Sequence, residues 1–236
     1  MHADTPEAFG LDQDSLGRAL ERIVSARRSV RAFLPDPLPR PLLERLLTIA
    51  GKAPSNCNAQ PWVTHVVSGE TLARLRAAIV REAEAGRQGA DVPPTSHYVD
   101  QYRARRIEAA VTLFEATGVG RDDAKARRRS YLRNHHFFDA PHAAFFFMPR
   151  YFGLREAADV GMYLQTLMLA VTAHGLASCP QTSLSYFAST VKRELGVSDD
   201  LICLFGLSFG RADETDPSTA AITSRAPLAE TVRFHN

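Results

Sequence analysis

Three short polar clusters hold the residues of this chain that are best suited to chemistry. The first occupies residues 27–31 (R-R-S-V-R) and places three guanidinium groups and one hydroxyl within five residues. Charge-assisted hydrogen bonds from such groups suit a phosphate, and each contributes about 1.5–3 kcal/mol. The alternative is the end of a helix, where basic side chains stabilise the negative end of the helix dipole. Spacing alone favours this second interpretation.

The second and third clusters are rich in small polar groups. Residues 53–62 (A-P-S-N-C-N-A-Q-P-W) hold a serine and several amides between two prolines, followed by the only tryptophan. A rigid backbone with many small donors suits a polyhydroxylated or heterocyclic ligand, although a plain loop of turns fits the pattern equally well. Residues 178–183 (S-C-P-Q-T-S) could present backbone N–H groups to a ring.

A fourth pattern points to a different chemistry. Gly206, Ser208 and Gly210 fit the G-x-S-x-G spacing of a hydrolase nucleophile elbow, and Asp213 and His235 follow in triad order. That elbow requires a helix directly after the serine. Residues 211–217 (R-A-D-E-T-D-P) show no apolar period, so a serine hydrolase based on Ser208 is only a remote alternative.

Composition narrows the class of protein. The 236 residues carry 28 basic and 26 acidic side chains, a net charge of +2, and 45% of them are hydrophobic. This balance is ordinary for a globular domain and argues against a nucleic-acid-binding protein, which needs a strong positive field. Three scattered cysteines without a C-x-x-C pair indicate free thiols and hence a cytoplasmic location.

Neither a metal site nor a membrane span is predicted. His135 and His136 are adjacent, so on a helix they point about 100° apart. We expect them at the surface or lining a pocket. The most apolar helix, near residues 157–173, is interrupted by polar residues and does not provide the roughly 20 apolar residues of a membrane span.

The elements that position these clusters alternate loosely between helix and strand. Periodic apolar residues predict the helices; the first is N-capped by Asp14 or Ser15, and the second begins at Pro41 and is ended by Gly51. Continuous apolar runs predict strands. The predicted helices cover about residues 16–24, 41–50, 70–87, 101–117, 121–135 and 154–174, and the predicted strands cover residues 63–67, 143–148 and 201–209. The sum is a single α+β domain, residues 1–236, with a helix-flanked central sheet.

Two segments lack such periods. Residues 88–100 are rich in turn formers and break regular structure. Residues 211–236 form an extended tail with apolar anchors at Leu228, Val232 and Phe234 but no amphipathic helix. Such an arm either lies along its own domain or embraces a neighbour, which is a low-cost route to a twofold dimer.

Taken together and in order, these motifs resemble the FMN-dependent nitroreductase superfamily. The resemblance rests on R-R-S-V-R, P-S-N-C-N-A-Q-P-W, D-V-G-M-Y-L-Q-T-L-M-L-A, G-L-A-S-C-P-Q, G-L-S-F-G-R-A-D and S-R-A-P-L. It runs from about residue 20 to the C-terminus, and the region 88–140 is most similar to the nitrobenzoate-reductase branch.

This resemblance implies a fold and an activity. The fold has a mostly antiparallel sheet flanked by helices, with the arm 211–236 exchanged in a homodimer. Two FMN molecules lie at the subunit interface, and NADH or NADPH passes a hydride through FMN to a small aromatic nitro compound by a ping-pong mechanism. No G-x-G-x-x-G occurs, so the nicotinamide docks on the flavin face. An insert, residues 88–138, covers the site as a lid with His97, Tyr98, Tyr102, Phe137 and Phe138.

The resemblance also implies a role for each site residue. Arg27 and Ser29 hold the FMN phosphate, together with Arg225 from the arm. Arg28 lies along the ribityl chain or ring edge, and Arg31 lies near the N1–C2=O edge, where a cation favours reduced flavin. No side chain is a catalytic nucleophile, because the chemistry occurs on the flavin. The other subunit contributes Pro54, Ser55, Asn56 and Asn58. The segment that passes over the ring is Pro180, Gln181, Thr182 and Ser183, with the Thr182 N–H near flavin N5.

One position departs from the family pattern, and some alternatives stay open. Thr223 stands where many members of the superfamily have a second basic residue, so phosphate binding leans more on Arg27, Arg28 and Arg211. Other flavin activities of the superfamily remain possible, namely a reductive dehalogenase or deiodinase or a quinone or flavin reductase. A different class is a non-catalytic carrier of flavin or tetrapyrrole.

Overall fold

The core of the fold is a four-stranded sheet. The computed structural model describes residues 12–95 and 97–235, so residues 1–11, Ser96 and Asn236 lie outside the described part. In chain order the strands are β1 (Val63–Ser68), β2 (His142–Pro149), β3 (Ala177–Gln181) and β4 (Leu201–Gly210). The sheet order is β1-β2-β4-β3, and each neighbouring pair is antiparallel. The predicted α+β fold with a mostly antiparallel sheet is confirmed.

Helices cover both faces of this sheet. In chain order they are α1 (Gln13–Ala26), α2 (Arg40–Ala50), α3 (Gly69–Glu84), α4 (Asp100–Ala116), α5 (Ala124–Arg133), α6 (Leu154–Ala173), α7 (Ala188–Leu195) and α8 (Leu228–Thr231). Helices α2 and α6 pack together on one face, and α3 and α7 pack together on the other.

Strand β2 divides the core into two layers. Phe146 and Met148 point into the layer of α2 and α6, whereas Phe145 and Phe147 point into the layer of α3 and α7. Because successive side chains of a strand alternate in direction, a strand covered on both faces must be apolar throughout. This explains why residues 143–148 form an unbroken apolar run.

The predicted elements are largely present, with some changes of boundary. The N-cap of α1 is Asp12, whose carboxylate accepts the backbone N–H of Ser15 at 2.8 Å, so the predicted caps Asp14 and Ser15 were wrong. Pro41 stands in the first turn of α2, and Gly51 ends that helix, as predicted. The segment 178–183 overlaps β3 (Ala177–Gln181) and the 3-10 turn Thr182–Phe187, which leads into α7. The sequence patterns predicted neither β3 nor α7.

The region predicted to be a lid consists of α4, α5 and the segments that flank them. Neither helix contains a buried residue, and Tyr98 and Tyr102 are exposed. Phe137 and Phe138, however, are buried and belong to two different core clusters. Their predicted place in a lid was therefore wrong, because their rings pack inside these two core clusters and do not cover a pocket.

The C-terminal arm follows β4 as an irregular segment interrupted by short helical turns. Pro217–Ala220 form a 3-10 turn and Leu228–Thr231 form α8. Within the chain the arm touches α4 through an ion pair of Arg105 with Glu230 (2.8 Å) and a hydrogen bond from Ser224 to Glu108 (2.7 Å). Leu228 is nevertheless 64% exposed and Phe234 80% exposed.

Candidate functional site

A cleft of about 730 Å³ opens where the end of α1 meets the C-terminal arm. Helix α6 contributes Gln165 to its wall, and the arm contributes residues 221–223 and Arg225. The residues predicted from the resemblance that line this cleft are Arg27, Arg28, Ser29, Arg31 and Arg225. The fold thus brings together basic residues from the two ends of the chain.

Arg27 and Arg225 both line the cleft and lie close enough for their charges to interact. Burial lowers the pKa of Arg27, and the positive charge of Arg225 lowers it further. Neither guanidinium forms an ion pair with a residue that the structure describes. Two neighbouring cations without a counter-ion repel each other, so an anion placed between them would be stabilised by both.

The end of α1 explains both sequence interpretations of the first cluster. The helix ends at Ala26, and Arg27 is its C-cap, with its backbone N–H donating to Ile23 at 3.0 Å. The helix-end interpretation is therefore correct for the backbone. The side chain of Arg27 nevertheless turns into the cleft, so the two interpretations do not exclude each other.

Arg28 and Arg31 are held in place more firmly. The Arg28 guanidinium forms an ion pair with Glu214 at 3.1 Å. Arg31 donates to the carbonyl of Ser29 at 3.2 Å, and the carbonyl of Arg31 accepts from Arg133 at 2.9 Å. These contacts fix the turn that follows α1.

The buried thiol of Cys179 packs beside this turn, in one cluster with Val30. Burial raises the pKa of Cys179 to about 11, against the smaller opposing effects of Arg31, Ser29 and Arg27. Since the thiolate is the nucleophilic form, Cys179 is not a nucleophile at neutral pH.

Strand β3 connects the arginine cluster to the third polar cluster. The backbone N–H of Val30 donates to the carbonyl of Ser178 at 3.1 Å. At about 3.3 Å per residue, Gln181 lies about 10 Å further along the strand. The side chain of Gln181 is buried and that of Thr182 is exposed. Pro180, Gln181, Thr182 and Ser183 do not line the cleft. Pro180 and Gln181 end β3, which is bridged to the cleft residue Ser29 at Ser178, and Thr182 and Ser183 begin the 3-10 turn that follows (Thr182–Phe187).

The second cluster forms a well-defined loop away from the cleft of its own chain. Asp159 of α6 is buried and accepts the backbone N–H of Asn56 at 3.0 Å, and Trp62 stacks on Tyr163 of α6 at 4.9 Å. Several residues of this loop have positive φ, as found at strained, functional turns: Cys57 (50°), Asn58 (56°) and Gln60 (48°). None of Pro54, Ser55, Asn56 and Asn58 lines the cleft, and their contribution from another subunit stays a prediction.

The hydrolase alternative is wrong. Ser208 is fully buried in the interior of β4, which continues to Gly210 without turning into a helix. Its hydroxyl donates to the side chain of Gln181. Asp213 accepts hydrogen bonds from Thr215 rather than from a histidine.

Two further predictions need correction. Arg211 is exposed and is not among the residues that line the cleft, so it does not replace a missing basic residue at position 223. His135 is fully buried between the rings of Tyr131 and Phe187, not at a surface or pocket. Burial, together with the neighbouring His136, lowers the pKa of His135 to about 4.

Sequence reasoning did not assign Gln165 or Glu214 to the site. Gln165 is a polar residue within a mostly apolar helix, and that contrast is the signal that could have identified it. Glu214 pairs with Arg28 across 186 residues of sequence, and no local pattern could show this contact. Within the described ranges, no helix combines the length and apolar character needed to cross a membrane.

The antiparallel sheet between helix layers carries a cleft lined by four arginines, an arrangement suited to an anionic ligand. The Nitroreductase family model matches residues 24–211. The chain belongs to the nitroreductase family.

Two relatives match this chain over most of their own length. The chain is 42% identical to nitroreductase NfnB of Mycolicibacterium smegmatis over 220 residues, which cover 93% of this chain and 94% of that protein. It is 34% identical to a 4-nitrobenzoate reductase of Pseudomonas putida, covering 82% and 86% respectively. The structure of the FMN-dependent nitroreductase NfnB from Mycobacterium smegmatis in complex with NADPH superposes with a TM-score of 0.90 at 41% identity, covering 94% of this chain and 100% of that one.

Proposed function

We propose that this protein is a homodimeric, FMN-containing NAD(P)H oxidoreductase that reduces nitroaromatic or similar electron-poor aromatic compounds. The observation that carries the proposal is the pair of unneutralised guanidinium groups, Arg27 and Arg225, in one cleft. A phosphate monoester supplies the negative charge that this pair lacks.

The cleft fits FMN in size and in chemistry. Its volume of about 730 Å³ lies within the range of about 300–1,000 Å³ typical of cofactor and ligand pockets. Ser29 adds a hydroxyl donor beside the two guanidinium groups that hold the phosphate. Arg31 also lines the cleft, where its positive charge would favour the negative charge of a reduced flavin.

A second subunit completes the proposed site. The loop with Ser55 and Asn56 is ordered by Asp159 but lies outside its own chain's cleft. Helices α1 and α6 pack against each other, and with the arm they carry exposed apolar residues: Leu20, Val24, Met162 and Ile222. An apolar face of this kind marks a protein–protein interface, and a twofold dimer buries the same face on both copies.

The protein itself would bind and orient the cofactor and the two substrates. FMN, when bound, supplies the hydride-transfer chemistry. The neutral Cys179 and the buried Ser208 provide no competing nucleophile. NADPH and the acceptor would bind in turn to the same face of the flavin ring. A ping-pong mechanism of this kind needs no separate nicotinamide-binding domain.

The relatives support the choice of donor and acceptor. An NADPH complex has been solved for the M. smegmatis nitroreductase, and a 4-nitrobenzoate reductase covers most of this chain. We therefore expect NADPH to serve as donor and nitrobenzoates to serve as acceptors. We place the protein in the cytoplasm, a reducing compartment in which its three free cysteines would stay reduced.

The test is reconstitution followed by turnover. Protein incubated with FMN and desalted is expected to be yellow, to be bleached by NADPH without oxygen, and to regain its colour with 4-nitrobenzoate. Light scattering of the same sample is expected to give the mass of two chains. Colourless protein would refute the flavin site, and faster turnover of a halogenated aromatic or a quinone would assign the acceptor to another activity of the superfamily.

A further inference from the structure

The G-x-S-x-G segment of β4 has no nucleophilic role, yet its serine is fully buried and hydrogen-bonded. Ser208 donates to Oε1 of Gln181 at 2.5 Å, and Nε2 of Gln181 donates to the backbone carbonyl of Asn134 at 2.9 Å. A carbonyl can only accept, so the amide nitrogen of Gln181 must face Asn134. Its oxygen therefore faces Ser208, and the Ser208 hydroxyl must be the donor.

This chain of hydrogen bonds holds the turn that follows β3. Asn134, directly after α5, accepts from Gln181 through its backbone and from Ser183 through its side chain, at 3.5 Å. Thr182 lies between these two anchored residues and is exposed. Its carbonyl accepts the hydroxyl of Ser185 at 2.8 Å. The backbone of Thr182 is thus fixed from both sides.

The first glycine of the segment sets the distance between the turn and β4. Gly206 pairs with Gln181 in the sheet. A Cβ built on Gly206 would lie 2.7 Å from Cδ1 and 3.0 Å from Cβ of Leu184. Only glycine allows the turn to approach this closely. Gly206 and Ser208 therefore act together, one by permitting contact and the other by holding Gln181.

We propose that Ser208 is a positioning residue, which through Gln181 and Asn134 fixes the backbone of Thr182 against the flavin. This inference rests on the proposed function, which places the Pro180–Ser183 segment over the flavin ring. Ser208 touches neither cofactor nor substrate; it acts by holding Gln181. A fixed backbone N–H at the ring sets the reduction potential and the alignment for hydride transfer.

The test compares Ser208→Ala with Ile79→Val, both in FMN-loaded protein. Ile79 is fully buried in α3, and Ile→Val lowers the stability about as much as the loss of one hydrogen bond. For Ser208→Ala we expect kcat with NADPH to fall about tenfold at a nearly unchanged KM. An N–H donor binds unreduced N5 better than N5 that carries a hydrogen. We therefore expect the potential to rise by about 30 mV, which equals a tenfold change in relative affinity for the two redox states. Ile79→Val should change neither.

A second variant covers the case in which Ser208→Ala does not fold. Ser208→Ala/Gln181→Met removes both partners of the hydrogen bond between these side chains, so it should be more stable than Ser208→Ala alone. It should still show the altered reduction potential, because the residue that anchors Thr182 is gone. A wild-type potential in either folded variant would overturn the proposal. Wild-type protein that binds no FMN would instead refute the proposed function, and this inference with it.

Discussion

Replacing Arg27 with alanine tests the anion cleft most directly, because the structure predicts opposite effects with and without cofactor. In the cofactor-free protein Arg27 and Arg225 repel each other, so Arg27→Ala removes an unfavourable interaction. In the FMN-loaded protein the same change removes a charge-assisted hydrogen bond to the phosphate. A bond of this kind contributes about 1.5–3 kcal/mol, which corresponds to an increase in Kd of about 10- to 150-fold.

The assay has two parts. Fluorescence titration gives the Kd for FMN, and thermal unfolding without FMN gives the stability of the cofactor-free protein. Arg22→Ala is the matched control, because Arg22 is an exposed residue of the same helix outside the cleft. We expect Arg27→Ala to weaken FMN binding by the stated factor and to leave the cofactor-free stability equal or higher.

The helix-end interpretation predicts the reverse pattern. If Arg27 served only to stabilise the carboxyl-terminal dipole of α1, its removal would cost about 0.3–1 kcal/mol of stability. FMN affinity would then stay unchanged. Such a result would refute the assignment of this cleft to the phosphate.

Three further predictions concern buried and charged groups outside the cleft. With a thiol reagent at pH 8, exposed Cys57 should react fast, whereas Cys179, with a pKa of about 11, should react only on unfolding. His135 has a folded pKa of about 4, below its usual value of 6.5. The free energy of unfolding should therefore be at its full value above pH 6.5 and should fall by about 3 kcal/mol as the pH drops through 4, because protons bind the unfolded state more tightly. Asp91 accepts from the buried Lys192 at 2.9 Å, whereas the second carboxylate near that ammonium, Asp199 at 3.7 Å, is exposed to solvent. Asp91→Ala should therefore cost about 3–5 kcal/mol in urea unfolding by removing the buried counter-charge of Lys192.

Each of these has a control that separates it from a general loss of stability. Cys57→Ser should abolish the fast thiol reaction, and a remaining fast phase would mean that a buried thiol is accessible. His135→Leu should reduce the slope of unfolding free energy against pH below pH 6.5, whereas His136→Leu should not. If both variants keep the wild-type slope, the effect belongs to another group, such as the buried His142. Asp91→Ala/Lys192→Met should be more stable than Asp91→Ala alone, and no recovery would show that the ion pair is not the source of the loss.

Elements with a strong apolar pattern could be predicted from the sequence, and short elements could not. Residues 143–148 are apolar because both faces of β2 are covered, so their pattern is local and readable. Strand β3 is five residues long and contains Pro180, and its burial comes from β4 and from the turn after α1. Proline lowers the β-propensity of a segment, so the sequence argued against a strand here. An edge strand such as β3 nevertheless tolerates proline.

The same distinction applies to the site. Arg27, Arg28, Ser29 and Arg31 are neighbours in sequence, so their cluster is visible without a structure, but its spacing alone suggested a helix end. Arg225 became part of the prediction only through the resemblance to a family. The burial of His135 depends on Phe187, which is distant in sequence, and no local pattern contains that contact.

The cleft is formed by residues near both ends of the chain, at the end of α1 and in the C-terminal arm. Arg27 is attached to α1 at the C-cap, whereas Arg225 is held mainly by its own segment, through Thr223 and Ser224. An anion bound between the two guanidinium groups would attract the arm towards α1. A ligand that binds only the folded state raises the free energy of unfolding by RT ln(1 + [L]/Kd), about 2.7 kcal/mol at 100 times Kd. We therefore expect cofactor binding and the docking of the arm to be coupled through the Arg27–Arg225 pair.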